Sequence, residues 1–269
     1  MPHFIIDGQP LHYTDQGTGE VILLAHSYLW DQHVGAPQVQ ALQDYYRVIV
    51  PELWGHGASG PLPASTRSLT DLARQVMALL DHLTIERCNL VGLSVGGMWG
   101  AKLAMDAPER IDRVVLMDTY VGAEDEPKRQ YYFSLLRQLE DEGGMSPALP
   151  DIVVPMYFHP DADLQSPLCR AFRAALAAMP AEVARQSIAP LGRIIFGRED
   201  LRDRLHELDP RKTLVMCGDR DIPRPPHETV EMARLIGCAQ VLVPDAGHIS
   251  NLENPGFVTD TLLSFLASR

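Results

Sequence analysis

The chain has 269 residues, 46% of them hydrophobic and 22% charged, and a formal net charge of −12. This is the composition of an ordinary globule long enough to bury a large core. The acidic balance argues against nucleic acid or an anionic membrane as partner.

The four cysteines, Cys88, Cys169, Cys217 and Cys238, form no CxxC pair and read as reduced thiols. No signal-peptide pattern opens the chain, and no apolar run is long enough to span a bilayer. A cytoplasmic protein is therefore expected. Nothing in the sequence selects between a monomer and a homo-oligomer.

In chain order, Phe4–Asp7 and Leu11–Asp15 read as two short strands. Val21–His26 is a continuous apolar run, as in a strand buried on both faces of a parallel sheet. A short helix is expected over Ala36–Tyr45 and a strand over Tyr46–Pro51. Leu69, Leu72, Ala73, Val76, Leu79, Leu80 and Leu83 recur at helical spacing, which predicts an amphipathic helix over Leu69–Leu83. A strand ending at Val91, a helix from Met98 and a strand over Val114–Asp118 follow. Strand and helix alternate through this half, which implies a parallel α/β sheet with ligands at the carboxyl ends of its strands.

Between Thr119 and about Pro210 the rhythm changes. Helical patterns over Lys128–Glu142, Asp163–Met179, Ala181–Ala189 and Glu199–Leu208 are punctuated by prolines, including Pro147, Pro150 and Pro155. This stretch reads as a helical insertion, residues 119–210, in a core made of residues 1–118 and 211–269. The α/β rhythm resumes with a strand over Thr213–Cys217, a helix over Pro226–Ile236, a strand over Ala239–Val243 and a closing helix over Phe257–Ala267.

The most informative stretch is Val91-Gly92-Leu93-Ser94-Val95-Gly96-Gly97. It is Gly-x-Ser-x-Gly between a strand and a helix. Small residues two before and two after the serine permit a sharp turn that exposes the hydroxyl in strained backbone. The pentapeptide alone is also compatible with an ordinary glycine-rich turn. A serine hydroxyl is a weak nucleophile without a base, and the base needs an orienting acid. Two later strand ends offer these: Gly218-Asp219-Arg220-Asp221-Ile222-Pro223-Arg224-Pro225 and Asp245-Ala246-Gly247-His248.

With these pieces in order, the chain resembles the α/β-hydrolase fold family over essentially its whole length. The matching residues are His26-Ser27, Gly55-His56-Gly57-Ala58-Ser59, Gly92 to Gly97, Gly218 to Pro225, and Gly247-His248 followed by Glu253-Asn254-Pro255. The resemblance implies a mostly parallel eight-stranded sheet flanked by helices, with a helical cap inserted after the sixth strand. It implies Ser94 as nucleophile, His248 as base and then acid, and Asp221 as orienting carboxylate. Asp118 is a less favoured stand-in for the acid. The backbone N–H groups of Tyr28 and Val95 would form the oxyanion hole.

His26-Ser27 departs from the family's frequent His-Gly and forgoes glycine's backbone freedom beside that hole. His-Ser with the later Ala36-Pro37-Gln38-Val39 is similar to the branch of 3-oxoadipate enol-lactonases and small esterases. The resemblance therefore implies a cofactor-independent serine hydrolase, without metal, acting on a small carboxylic ester or lactone. Carbon–carbon bond hydrolases, thioesterases and cofactor-free perhydrolases use the same triad, and a non-catalytic ligand-binding member of the fold is a further alternative.

His26, Trp30, Tyr131, Tyr157 and Phe158 are the candidates for the substrate pocket. The insertion's aromatic clusters, Tyr131-Tyr132-Phe133 and Tyr157-Phe158, could line that pocket, but such residues more often form the insertion's own core. His56 is expected to be structural. His159, Asp161 and Asp163 are expected to be a solvated loop, since no metal-ligand motif accompanies them.

Overall fold

The computed structural model describes residues 2–268. Eight strands form one sheet: β1 (His3–Ile6), β2 (Gln9–Gln16), β3 (Val21–Ala25), β4 (Arg47–Pro51), β5 (Cys88–Leu93), β6 (Ile111–Met117), β7 (Thr213–Gly218) and β8 (Ala239–Val243). Their spatial order is β1-β2-β4-β3-β5-β6-β7-β8. The pairs β1–β2 and β2–β4 are antiparallel, and every later pair is parallel. This is the α/β-hydrolase architecture expected from the sequence.

The apolar runs divide between the two faces with the strand period of two. Leu23 and Ala25 of β3 join a core with α2 (Leu69–His82) and α3 (Val95–Asp106). Ile22 and Leu24 join the opposite core with α1 (Ala36–Leu42) and the closing helix α11 (Pro255–Ala267). Ser68 caps α2, its hydroxyl accepting from the Asp71 N–H.

Between β6 and β7 lie α4 (Glu126–Asp141), α5 (Ala148–Tyr157), α6 (Pro167–Ala177), α7 (Ala181–Val183), a π turn over Ala184–Ile188, α8 (Ala189–Phe196) and a 3-10 turn over Arg202–Glu207. The sequence reading placed no helix where α5 runs, because Pro150 and Pro155 looked like breaks. Pro150 sits in the first turn, where its missing N–H has no intrahelical partner to lose. Pro155 does remove an interior hydrogen bond, but Val154 and Tyr157 beside it are buried. The helix predicted from Asp163 begins instead at Pro167, capped by Ser166. Two further helices, α9 (Pro226–Ile236) and the short α10 (Ser250–Glu253), complete the core. Among the described residues no helix is long and apolar enough to cross a membrane.

Candidate active site

Ser94 occupies the turn between β5 and α3, with φ 55° and ψ −119°. Positive φ is unfavourable for a residue with a Cβ, and the close packing and hydrogen bonds of the turn hold Ser94 there. A Cβ on Gly92 would lie 2.6 Å from the Gly96 carbonyl oxygen, and one on Gly96 would lie 2.4 Å from that of Ala25. The turn therefore closes only with glycine at both positions. The Thr119 hydroxyl donates to the Ser94 carbonyl at 2.6 Å, and the Gly97 and Met98 N–H groups donate to the same oxygen.

Two loops from neighbouring strands reach this turn. His248, after β8, lies with Nε2 2.9 Å from Ser94 Oγ. Its Nδ1 lies 2.9 Å from Asp221 Oδ2, after β7. The Arg224 N–H donates to Asp221 Oδ1 at 2.8 Å, so that carboxylate is held at both oxygens. All three side chains are buried. Glu253 fixes the histidine loop by accepting from the Gly247 N–H at 2.7 Å and the His159 N–H at 2.8 Å. Burial pushes the Glu253 carboxyl upward despite these bonds.

Asp118, at the end of β6, does not reach His248 through any hydrogen bond. It accepts from the Gly218 N–H at 2.8 Å and from the Ser250 hydroxyl at 2.6 Å. Burial pushes its carboxyl well above the usual range, and the negative charge of Asp221 pushes it the same way.

The loop after β3 carries Tyr28 and Leu29. Two histidines hold it. His26 Nε2 accepts from the Leu53 N–H at 2.8 Å, which makes Nδ1 the protonated nitrogen and the donor to the Ser27 carbonyl. His56 repeats the arrangement, accepting from the Leu29 N–H at 3.0 Å and donating to the Trp54 carbonyl at 2.9 Å. Burial lowers both ring pKa values; that of His56 falls to about 3, with the neighbouring His26 contributing. Both rings are thus neutral parts of the scaffold at neutral pH.

The Tyr28 side chain donates to the Ile188 carbonyl at 2.7 Å, and the Tyr157 hydroxyl donates to the Tyr28 carbonyl at 2.7 Å. Those two bonds tie the loop to the inserted helices. Among the described residues neither the Tyr28 N–H nor the Val95 N–H donates to a protein acceptor. Val95 opens α3, where the first N–H groups are free by construction and the helix dipole favours negative charge.

Ser94 and His248 open into a cavity with about 830 Å³ of empty space, its mouth included. The inserted helices roof it with apolar side chains, among them Leu136, Leu139, Val153, Met156, Ile195 and Phe196. Of the five residues expected along the pocket, Tyr157 is on the wall. The other four are not.

His26 has both nitrogens engaged with the backbone. Trp30 stacks on Phe172 of α6, ring centroids 4.1 Å apart. Phe158 follows α5 and is buried with its ring edge-on to both Trp30 and Phe172. Tyr131 is 46% exposed, and its neighbour Tyr132 lines the cavity instead. One residue on a helix turns the side chain by about 100°, so adjacent tyrosines cannot share a face. His159 is also outside the site, its Nδ1 accepting from the Asp161 N–H in its own loop. Sequence reading missed Thr119 and Glu124, and offered Tyr132 only within the Tyr131-Tyr132-Phe133 cluster. It quoted Arg224 only as part of a motif, although its place three residues after Asp221 was the available signal.

Comparison with known proteins agrees with this fold. A family model described as alpha/beta hydrolase fold matches residues 20–147. The chain is 30% identical over 233 residues to 3-oxoadipate enol-lactonase 2 of Acinetobacter baylyi, covering 84% of this chain and 79% of that protein. Among solved structures, an enol-lactonase from Burkholderia xenovorans superposes with a TM-score of 0.85 at 30% identity, covering 99% of this chain and 100% of that one. A thermophilic esterase from Thermogutta terrifontis gives a TM-score of 0.83 at 28% identity, covering 96% and 93%. Sheet order, elbow geometry and these similarities together establish that the chain belongs to the α/β-hydrolase fold family.

Proposed function

We propose that the protein is a serine hydrolase of small carboxylic esters or lactones, working through an acyl-enzyme on Ser94. The observation that carries this reading is the unbroken chain Asp221–His248–Ser94, with 2.9 Å at each junction. The enol-lactonase and esterase relatives support the same bond class.

Ser94 Oγ attacks the substrate carbonyl carbon while its proton passes to His248 Nε2. Asp221 holds the ring with Nδ1–H toward the carboxylate and stabilises the imidazolium. The carbonyl oxygen becomes an oxyanion and takes the free N–H groups of Val95 and Tyr28. When the tetrahedral species collapses, the C–O bond to the leaving oxygen breaks and His248 returns its proton to that oxygen. Water then repeats the sequence on the acyl-enzyme, losing a proton to His248 and releasing the acid. For a lactone the leaving oxygen stays attached, and the product is a hydroxy acid, or a keto acid where the ring oxygen was that of an enol. The insertion, residues 119–210, serves as the cap that roofs the site and sets the substrate range.

The test uses p-nitrophenyl butyrate and purified protein beside Ser94→Ala. Nitrophenolate release that depends on Ser94 supports the reading. Equal release from the variant overturns it.

A further inference from the structure

Three loops must meet for the triad to form, and one residue pair touches all of them. Asp118 and Thr119 follow β6, the strand that lies between β5 and β7. The Thr119 hydroxyl holds the Ser94 carbonyl. Asp118 reaches the other two loops, one with each carboxylate oxygen. Oδ1 accepts from the Gly218 N–H at 2.8 Å, three residues before Asp221. Oδ2 accepts from the Ser250 hydroxyl at 2.6 Å, two residues after His248.

The two loops joined in this way lie backbone against backbone. A Cβ on Gly218 would lie 2.2 Å from the Gly247 carbonyl oxygen and 2.3 Å from that of Ala246. The Arg220 N–H donates to the Ala246 carbonyl at 3.0 Å. Those contacts fix the chain before His248. The bond from Ser250 to Asp118 fixes it after His248, so the histidine is held from both sides.

Asp118 is a costly residue for filling space. It is fully buried. Among the described residues it has no ion pair, and the nearby charge of Asp221 is of like sign. An apolar residue would occupy the same volume without that penalty. Its backbone is also in an unfavourable region, with φ 48°, as is that of Ser94 at the neighbouring strand end. Such conformations persist where the surroundings over-determine them, and they cluster at functional sites.

We infer that Asp118 is a positioning residue of the hydrolytic site: it sets the spacing between the loop that carries Asp221 and the loop that carries His248, and through it the reach of the histidine to both partners. This rests on the hydrolase reading above and deepens it. The bonds to Gly218 and Ser250, and not the charge, carry the role. An amide at this position can make both of them.

The experiment compares wild type with Asp118→Asn, Asp118→Gly and Ser250→Ala. Glycine adopts positive φ without strain, so a loss in Asp118→Gly reports the missing carboxylate. Two readouts are used: kcat and KM for p-nitrophenyl butyrate, and the low-field proton resonance of the His248 Nδ1–H held by Asp221. Asp118→Gly should lower kcat by about 10- to 100-fold, the cost of displacing a catalytic group by on the order of 1 Å. Its KM should stay within about twofold of wild type, and its low-field resonance should be lost. Asp118→Asn should keep both readouts near wild type. Ser250→Ala removes one of the two bonds and should lower kcat several-fold, which serves the test even if Asp118→Gly does not fold.

Wild-type kcat in Ser250→Ala, or a loss in Asp118→Gly confined to KM, overturns the inference. So does an unchanged resonance in Asp118→Gly, or a fall in Asp118→Asn as deep as in Asp118→Gly. The resonance needs no substrate. Release from the ester that does not depend on Ser94 therefore overturns the hydrolase reading, while the resonance still decides whether Asp118 places His248.

Discussion

The Thr119 hydroxyl donates to the Ser94 carbonyl at 2.6 Å, from the residue pair that follows β6 to the turn that follows β5. This bond ties the strained serine to its neighbouring strand end. Thr119 also packs closely on the turn, since a Cβ on Gly97 would meet Thr119 Cγ2 at 2.6 Å. Thr119→Val keeps the shape and removes the donor. The Ser94 carbonyl retains two backbone donors, so the expected loss of stability is about 1 kcal/mol. A several-fold fall in kcat should accompany it. Urea unfolding and steady-state kinetics check both; an unchanged midpoint and kcat would show that the bond does not restrain the elbow.

Asp118 and Asp221 end adjacent strands, yet only Asp221 meets His248. Asp118→Asn can keep accepting from the Gly218 N–H and can donate to the Ser250 oxygen. It should change stability by less than about 1 kcal/mol and leave most activity in place. Asp221→Asn loses the charge that stabilises the imidazolium and favours the wrong tautomer. Its kcat should fall by about 10⁴-fold. Kinetics on the two variants reverse the assignment of the acid if the losses are the other way round.

The fold was readable in sequence because its signals are strong and local. Uninterrupted apolar runs such as Ile22–Ala25 mark strands buried on both faces, and the glycines around Ser94 mark a turn that cannot form otherwise. Ser94, Asp221 and His248 follow strand ends, so their meeting follows from the topology once the parallel order is known. The roof of the site was less readable. Which face of α4 turns inward depends on how the helix packs on the sheet, and that choice separates Tyr131 from Tyr132. Glu124 and Arg198 lie 74 residues apart and are joined only by tertiary packing. The prolines in α5 misled because local propensity yielded to buried contacts.

His56 makes stability depend on pH in a stated direction. Its folded pKa is about 3, below the unfolded value, so the unfolded chain takes up a proton that the folded one refuses. Its stabilising contribution is therefore complete above about pH 6.5 and is lost as pH falls toward the folded pKa. Relative to His56→Gln, which can still accept from the Leu29 N–H, wild type should lose about 1.4 kcal/mol for each pH unit between pH 6 and 4. Denaturant titrations of both proteins across that range measure the difference. A constant difference would mean that the folded protein accepts the proton.

Tyr157 links the inserted helices to the loop after β3, which carries the proposed oxyanion donor, through its 2.7 Å bond to the Tyr28 carbonyl. Tyr157→Phe keeps the ring against His248, where the centroids are 5.4 Å apart, and removes the bond. Looser placement of the Tyr28 N–H should lower kcat by about tenfold with little change in KM, as expected when an interaction matters mainly in the transition state. A rise in KM alone would assign Tyr157 to substrate binding rather than to the loop.

The central claim is that Ser94 carries the acyl group. The most direct measurement is rapid acid quenching of the protein within the first turnover of p-nitrophenyl acetate, followed by intact-mass and peptide mass spectrometry. The account predicts one acetyl group per chain, on the peptide containing Ser94, absent in Ser94→Ala and persisting longer in Asp221→Asn. Nitrophenolate release at the wild-type rate with no acyl group on Ser94, or with the group on another residue, would contradict it.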